Sequence, residues 1–400
     1  MSVHSCQGPL HYVSQQSQVE ALAQNIEPGI SVALDTEADS LHHYYEKVCL
    51  IQLSFGSHHY IVDPLAKVRV EPLLEKLAQC TLVIHGADYD LRMLRRQWGF
   101  EAHQLFDTMC AAQLLGYEEL GLASLVKRCC GVTLCKSGQR ADWSRRPLSP
   151  KLIEYATNDS RYLLCVAERL EHELRIRGRV EWHREMCQRI LENVKCHNTA
   201  RSEARQWRVK GWHTLKSSRA HAILRELWQW REREAQHADL PPFRILGNEM
   251  LVRLAAWTEA TSAGDALPDF IPPHLASSVR RLESLRRAVE HARALPPEKW
   301  PRPSHVNCKQ APKPSKSLCE ELKACRDEIA AKYDVPPQLI TPSTALLEIA
   351  AARPHTCEEL KAVSKLCNWQ VELIGEPFLR IIRAHEHASD VSPASSNLFD

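Results

Sequence analysis

The sequence predicts an α/β domain, in which helices flank a mixed sheet, followed by two all-α helical domains. Three observations support this prediction. Short apolar runs rich in β-branched residues alternate with segments of helical period over roughly Met1–Arg179. Beyond Arg205 the strand patterns end and helical segments alone remain. Two of those helical segments are similar to each other in sequence, which indicates a duplicated unit.

The expected order of elements begins with a buried strand that follows the turn signal Pro28-Gly29. Two more strands, VCLIQLSF and HYIVDPL, are joined at Gly56-Ser57 and should form a meander. LLEKLAQC should then form a short helix, TLVIHGA a strand and LRMLRRQW a helix. LFDTMCAAQLLG should form a strand followed by a helix, and Pro150–Leu174 a long amphipathic helix. Strands followed by alternating strands and helices indicate a mixed sheet flanked by helices.

Length and composition limit the class of protein. A chain of 400 residues exceeds what one core usually holds, so two or three domains are expected. With 25% charged and 44% hydrophobic residues, the composition is that of a soluble globular protein. No secretion signal opens the sequence and no apolar run has membrane-spanning length, which predicts a cytoplasmic protein without a membrane partner.

Fifteen cysteines are spread evenly along the chain without a spacing framework. In a long chain without a signal peptide they are expected to be reduced thiols. The one tight group, Cys129-Cys130 with Cys135, lacks the matching second pair that a zinc site requires.

Basic residues are concentrated locally although the net charge is only +2. Arg175–Lys216 contains eleven Lys or Arg against four Asp or Glu, and Lys136–Lys151 contains five against one. Local basic surface on a nearly neutral chain favours a phosphate-bearing partner. Solvated helix faces are the alternative, and the sequence leaves both open for Arg175–Lys216.

The internal repeat aligns Leu224–Ala255 with Cys319–Ala350 without gaps at an offset of 95. Ten of 32 positions are identical, including a diproline. A segment with six prolines lies between the copies and is typical of a semi-rigid linker. The predicted domains are therefore the α/β domain, the first helical domain, the linker, the second helical domain and a disordered tail, at residues 1–205, 206–295, 296–317, 318–388 and 389–400.

Two carboxylates at the end of the opening strand suggest chemistry. Asp35 and Glu37 are one residue apart, so on a strand they project from the same face. Adjacent like charges at the end of a core strand cost stability, and a divalent cation is the commonest compensation. A solvated strand end with two acids by chance is the alternative.

Two further acidic positions follow. Asp90 opens the helix after TLVIHGA, where the helix dipole favours a carboxylate. Asp88 competes for this role, but Asp90 is preferred because Leu91 and Leu94 then fall on the buried face. Taken alone, Asp90 is better explained as an ordinary residue of a helix N-terminus.

Tyr155 and Asp159 have i, i+4 spacing in KLIEYATNDSRYLL, which places them on one helical face. Singly, each has an ordinary structural explanation. Together, the carboxylates form an oxygen-only donor set that suits two Mg²⁺ or Mn²⁺ ions rather than zinc. Two such ions can flank a phosphodiester, and a tyrosine hydroxyl within reach can orient the attacking water.

DTE, HGADYDL and YATND resemble the three motifs of the DEDD exonuclease superfamily, in the subclass with tyrosine in the third motif. The segments YYEKVCLIQL, FDTMCAAQLLG, DWSRRPLSPKLIEYATNDSRYL and WRVKGWHTL resemble the ribonuclease D family. The two repeats resemble helicase-and-ribonuclease-D C-terminal (HRDC) domains, which are small helical nucleic-acid-binding modules. The resemblance covers nearly the whole chain.

This resemblance implies a ribonuclease-H-like fold and 3′–5′ exoribonuclease activity that releases nucleoside 5′-monophosphates. It also implies a function for each motif residue. Asp35, Glu37, Asp90 and Asp159 would bind two metal ions, and Tyr155 would position the attacking water. The implied partner is structured RNA with a single-stranded 3′ end, tRNA precursors above all, and no obligate protein partner is inferred.

Residues near the motifs are candidates for substrate binding. They are the histidine before the second motif and the basic residues before the third motif: His85, Lys136, Arg140, Arg145 and Arg146. An aromatic residue in His42–Tyr45 could stack on a terminal base, although packing is an equal alternative. Asp107 is expected to have a structural role, and Trp143 and Pro147 are expected to anchor a loop.

Two other functions remain open at this point. A DNA 3′–5′ exonuclease of repair or proofreading would carry the same active-site motifs. A non-catalytic RNA-binding adaptor could retain the fold. The complete carboxylate set argues against the adaptor, since a scaffold has no need for four converging charges.

Overall fold

The computed structural model describes residues 6–135, 138–196, 206–262, 264–301 and 315–390. Its strands form one six-stranded sheet of order β1-β4-β3-β2-β5-β6. The strands are β1 (Leu10–Val13), β2 (Ser31–Ala38), β3 (Val48–Phe55), β4 (His58–Val62), β5 (Thr81–Ile84) and β6 (Gln104–Asp107). The pairs β1–β4, β2–β5 and β5–β6 are parallel, whereas β3–β4 is antiparallel. The predicted mixed sheet is confirmed.

Helices accompany this sheet. They are α1 (Gln16–Gln24), α2 (Glu71–Leu77), α3 (Asp88–Trp98), α4 (Thr108–Leu114), α5 (Leu122–Cys130), α6 (Pro150–Arg161), α7 (Leu163–Ile176) and α8 (Val180–Cys196). The single long helix expected over Pro150–Leu174 is wrong. It divides at Tyr162, whose φ of −100° and ψ of −7° end α6 and precede α7. Strand β1 and helix α1 were not predicted from the sequence.

The rest of the described chain contains helices and no further strand, as predicted. The first group contains α9 (Ser218–Ala238), α10 (Pro242–Ile245), α11 (Asn248–Ala260), α12 (Pro273–Ala276) and α13 (Val279–Arg293). The second group contains α14 (Lys316–Tyr333), α15 (Pro337–Ile340), α16 (Ser343–Ala352), α17 (Cys357–Ser364) and α18 (Asn368–Asp390). Among the described residues, no helix combines the length and apolarity needed to cross a bilayer. The domain boundaries and the cytoplasmic location stay predictions.

The two helical groups repeat the same local structure. Arg231 in α9 and Arg326 in α14 are both buried, and each donates to a backbone carbonyl fifteen residues later at 3.2 Å. Asp239 and Asp334 follow these helices in the left-handed conformation, with φ of 46° and 52°. Equivalent residues in equivalent conformations support the duplication inferred from the sequence.

By its internal contacts the chain forms two compact units. The first contains the described parts of 1–37, 48–197 and 309–400, and the second contains those of 38–47 and 198–308. In the first unit, one hydrophobic core joins helices α4, α5 and α7 to the second helical group. Trp182 of α8 stacks on Trp369 of α18, with ring centroids 4.5 Å apart. The second repeat is therefore packed as part of the same body as the sheet.

In the second unit, Ala38–Lys47 packs with the first helical group. The Asp239 carboxylate accepts from the backbone N–H groups of Tyr44 and Tyr45 at 3.1 and 3.3 Å, and lies 2.7 Å from the Nδ1 atom of His43. The Tyr44 hydroxyl also donates to Glu232 at 3.2 Å. Tyr44 therefore takes the packing role that the sequence left open, whereas Tyr45 is exposed.

Candidate active site

Strand β2 carries the first two carboxylates out of the core. Val32, Ala33 and Leu34 are fully buried, and the strand then becomes polar at Asp35 and Glu37. The β-branched and aliphatic residues fix the strand in the sheet, so the two acidic side chains that follow are held by a rigid element rather than a mobile loop.

Helix α6 brings Asp159 to the same place. Its N-terminus is capped by the Ser149 hydroxyl, which accepts from the Leu152 N–H at 3.3 Å. Near its end, the Ser160 hydroxyl lies 3.0 Å from the Ser54 hydroxyl of β3. Within the described chain, one group of potential metal ligands is found: carboxylate oxygens of Asp35, Glu37 and Asp159 within 4.8 Å of one another.

Asp90 lies in the first turn of α3, is 7% exposed, and accepts a hydrogen bond from the Thr36 hydroxyl at 2.5 Å. Thr36 is the residue between the two β2 carboxylates, so this bond ties α3 to the acidic end of β2. Asp88 differs, because its side chain is 49% exposed and paired with Arg92. The structure thus brings Asp90, rather than Asp88, to the carboxylate group.

The turn that leads into α3 is held by Asp107 at the end of β6. This carboxylate is 1% exposed and accepts from the backbone N–H groups of Gly86 and Ala87 at 3.2 and 2.8 Å. It also caps α4 by accepting from Met109 at 2.8 Å. Asp107 therefore has the structural role expected from the sequence.

The surroundings of the acidic residues disfavour their charged forms. Burial, followed by the charges of Asp90, Asp159 and Glu37, raises the pKa of Asp35 well above its ordinary value. Burial, followed by the charges of Asp159 and Asp90, raises the pKa of Glu37 to about 9. Burial raises the pKa of Asp159 to about 7 and that of Asp90 to about 6. An all-oxygen set with excess negative charge fits a hard divalent cation.

Tyr155 lies one turn before Asp159 on α6, and its phenol interacts with the Asp159 carboxylate. Burial and then the charges of Asp159, Glu37 and Asp35 raise the pKa of Tyr155 far above its ordinary value. The phenol therefore stays protonated at neutral pH. It can orient a neighbouring oxygen by hydrogen bonding, but it cannot act as a strong base in this state.

The residues predicted to bind substrate are in different surroundings. The Nδ1 atom of His85 lies 2.9 Å from the Thr108 hydroxyl, and burial lowers the pKa of His85. Arg145 is 83% exposed and pairs with Asp142 at 3.0 Å, and Arg140 is also exposed. Arg146 forms an ion pair with Asp63 at 2.6 Å. Lys136 lies outside the described residues.

Two polar residues near the motifs were missed by the sequence analysis. Thr36 was not singled out, because its contact with Asp90 spans 54 positions and no local pattern indicates it. Gln52 of β3 is fully buried, and its side-chain amide has no hydrogen-bond partner in the part of the chain that the structure describes. A glutamine inside an otherwise apolar strand was the available signal for Gln52.

Metal affinity should depend on pH. We expect the dissociation constant for Mn²⁺ to fall by at least ~10-fold between pH 6 and pH 9. The reason is that protons on Asp159 and Glu37, with pKa values of about 7 and 9, compete with the cation and leave as the pH rises. Isothermal titration calorimetry in two buffers of different ionisation enthalpy measures both the affinity and the protons released. A pH-independent affinity without proton release would contradict this expectation.

Comparisons with known proteins agree with this geometry. Residues 10–175 match the family model of the 3'-5' exonuclease domain, and residues 220–263 and 315–382 match that of the HRDC domain. Ribonuclease D of Xanthomonas oryzae pv. oryzae is 31% identical over 256 residues, which cover 62% of this chain and 69% of that protein. Ribonuclease D of Gluconacetobacter diazotrophicus is 30% identical over 323 residues, which cover 80% of each protein.

Among solved structures, Escherichia coli RNase D, an exoribonuclease involved in structured RNA processing, matches with a TM-score of 0.68. The identity is 24%, and the match covers 94% of this chain and 99% of that one. This likeness shows that the fold is shared across both helical groups. Fold and domain matches together define the class as 3′–5′ exonucleases with HRDC domains. The chain belongs to the ribonuclease D family of 3′–5′ exoribonucleases, which confirms the resemblance inferred from the motifs.

Proposed function

We propose that this exoribonuclease trims structured RNAs, with tRNA precursors as the main substrates, and releases nucleoside 5′-monophosphates. One observation carries the proposal: the carboxylates of β2, α3 and α6 converge, and Tyr155 lies beside them. The ribonuclease D relatives favour RNA over DNA as the substrate. The role of the E. coli protein in structured RNA processing favours a folded RNA with a free 3′ end.

The cofactors we propose are two divalent cations, Mg²⁺ or Mn²⁺, held by Asp35, Glu37, Asp90 and Asp159. When bound, such ions supply an activated water and stabilise the charge that develops on the leaving oxygen. Without them, four clustered carboxylates would repel the phosphodiester. The chain fits this requirement because its donors are oxygens whose pKa values are raised by burial, and those of Asp35 and Glu37 also by the charges of neighbouring carboxylates.

Other residues of the chain are proposed to orient the attacking water and to bind the RNA. The phenol of Tyr155 interacts with the Asp159 carboxylate one turn later on α6 and lies beside the acidic group. The protonated hydroxyl then holds the attacking water in line with the scissile phosphorus. Arg140 and Arg145, exposed on the loop before α6, are proposed to contact phosphates of the RNA strand, and His85 to contact the nucleotide.

A gel assay tests this proposal. The substrates are a 5′-labelled RNA hairpin with a single-stranded 3′ tail and its DNA counterpart, each with Mg²⁺, with Mn²⁺ and with EDTA. We expect metal-dependent shortening of the RNA tail that stops near the duplex. Preference for the DNA version would favour a repair or proofreading exonuclease, and binding without cleavage would favour an adaptor.

Replacing Tyr155 with phenylalanine should separate orientation from metal binding. We expect Tyr155→Phe to lower the single-turnover rate about 100-fold, because the water loses its hydrogen-bonding partner. Mn²⁺ affinity should change little, since no carboxylate is lost. Asp159→Asn is the matched comparison and should weaken Mn²⁺ binding as well. An unchanged rate in Tyr155→Phe would remove this residue from the mechanism.

A further inference from the structure

We infer that Arg146 is a positioning residue for Tyr155, and that it does not bind RNA phosphates. The inference rests on the proposed role of Tyr155. It concerns the segment Gly138–Ser149, called here the pre-α6 loop, which precedes the helix that carries Tyr155 and Asp159. The ion pair between Arg146 and Asp63 fastens this loop to the sheet, and the loop in turn supports the tyrosine ring.

The donors of Arg146 are already engaged inside the protein. Its Nε and Nη2 atoms donate to the two Asp63 carboxylate oxygens at 2.6 and 2.7 Å, which is the bidentate arrangement. Nη2 also donates to the Cys49 carbonyl at 3.0 Å, and Nη1 donates to the Trp143 carbonyl at 2.7 Å. A guanidinium held in this way has no nitrogen left that lacks an acceptor, so a phosphate would have to break existing bonds.

Asp63 is itself fixed. It is 3% exposed, follows strand β4, and accepts from the Tyr12 hydroxyl of β1 at 2.6 Å and from the Leu65 N–H at 3.0 Å. Burial alone would raise the pKa of Asp63, but the hydrogen bonds from Arg146 and Tyr12 outweigh it and the pKa is lowered. The carboxylate is therefore ionised at neutral pH, and the loop is fastened to β1, β3 and β4 by one charged network.

The other contacts of the pre-α6 loop reach Tyr155. A Cβ atom at Gly138 would overlap the Tyr155 ring, so the glycine backbone lies directly against that ring. Trp143 is 1% exposed, and its ring centroid is 6.1 Å from that of Tyr155. Trp143 also belongs to a buried cluster with Cys49 and Ala156, which joins the loop to β3 and α6. The loop thus connects the Arg146 ion pair to the phenol that orients the water.

Loss of the ion pair should therefore affect the chemical step. We expect Arg146→Ala and Asp63→Asn each to lower the single-turnover rate on a single-stranded RNA by about 10-fold or more, with RNA dissociation constants within about twofold of the wild type. Arg145→Ala should instead weaken RNA binding and leave the single-turnover rate nearly unchanged, because this exposed neighbour is proposed to contact phosphate. If Arg146 bound phosphate, its loss would weaken RNA binding, and Asp63→Asn would release it to bind more tightly.

A double-mutant cycle separates positioning from general stability. In the Tyr155→Phe background, Arg146→Ala should cause almost no further loss of rate, since the group it positions is already gone. A folding defect would cost the same factor in both backgrounds, and that result would overturn the inference. Arg146→Lys, which keeps the charge but loses the bidentate geometry, should be intermediate. Arg146→Lys can replace Arg146→Ala in the cycle if the alanine variant does not fold.

The two failures remain distinguishable. A wild-type protein that does not shorten RNA would contradict the proposed function. An active wild type in which Arg146→Ala weakens RNA binding without slowing the chemical step would contradict only this inference. Arg169→Ala is the control: it removes an exposed arginine paired with Glu173 and should leave RNA affinity and the single-turnover rate unchanged.

Discussion

Replacing Asp35 with asparagine should abolish RNA cleavage and, at the same time, stabilise the metal-free protein. We expect a loss of at least ~1,000-fold in rate, because Asp35 is at the centre of the proposed metal site. We also expect a gain on the order of 1 kcal/mol in the free energy of unfolding without metal. Both effects arise at one carboxylate, which is placed to hold the cation but, without it, is disfavoured by its burial and by the charges of its neighbours.

The sign of this effect depends on pH. The pKa of Asp35 in the folded protein is well above its ordinary value, so the folded state binds more protons than the unfolded state. The metal-free protein therefore loses stability as the pH rises above about 4, the ordinary pKa of a carboxylate. Asp35→Asn removes part of that loss, so its advantage should be larger at pH 8 than at pH 5. Added Mn²⁺ should stabilise the wild type and not the variant.

Thermal unfolding with and without EDTA at the two pH values measures this effect. Asp88→Asn is the matched control, because Asp88 is half-exposed and paired with Arg92. It should change neither the rate nor the pH dependence of stability. If Asp35→Asn destabilised the metal-free protein at pH 8, the repulsion argument would be wrong.

Replacing Trp369 with alanine should destabilise the catalytic unit although Trp369 lies in the second helical group. Its side chain is 2% exposed and stacks on Trp182 of α8, and the surrounding core is continuous with α4, α5 and α7. Truncating a buried tryptophan costs ~3–5 kcal/mol. The Trp369 indole N–H has no acceptor among the described residues, and removing this unsatisfied buried donor offsets part of the destabilisation. We therefore expect a loss near the lower end.

The measurement for Trp369→Ala is the temperature at which exonuclease activity is lost, compared with the unfolding transition followed by circular dichroism. Both should fall together, because the second helical group shares one core with α4, α5 and α7, which belong to the same compact unit as the sheet. Trp257→Ala is the control, since this half-buried tryptophan belongs to the other compact unit. It should leave the temperature of activity loss nearly unchanged. Normal heat resistance of Trp369→Ala would show that the second repeat is dispensable for the catalytic fold.

Local patterns were sufficient for much of the fold. The apolar run before Asp35 predicts β2, because burial of aliphatic residues fixes a strand wherever the run occurs. The diproline and the apolar positions of the repeat predict two similar helical groups. Strand β1 was missed because it is a short edge strand whose residues are partly exposed, so it carries no buried run. The break at Tyr162 was missed because the helical period continues through it.

The site was predictable where a motif is local and not where a contact is distant. The i, i+2 and i, i+4 spacings place Asp35 with Glu37 and Tyr155 with Asp159 without any tertiary information. Arg146 resembles a phosphate ligand because its neighbours in sequence are basic. Its partner Asp63 lies 83 residues earlier, and only the folded chain brings the two together. Likewise, an amphipathic pattern shows that the second repeat buries one face, but it does not indicate which part of the chain packs against that face.

The most direct test of the central claim is the identity and order of the products. A 5′-labelled single-stranded RNA is incubated with the protein and Mn²⁺, and the released nucleotides are separated by chromatography. We expect the RNA to shorten one nucleotide at a time from the 3′ end and to release nucleoside 5′-monophosphates. Asp35→Asn should show neither the shortening nor the released products. Internal fragments, 3′-monophosphates, or equal cleavage by Asp35→Asn would contradict the account.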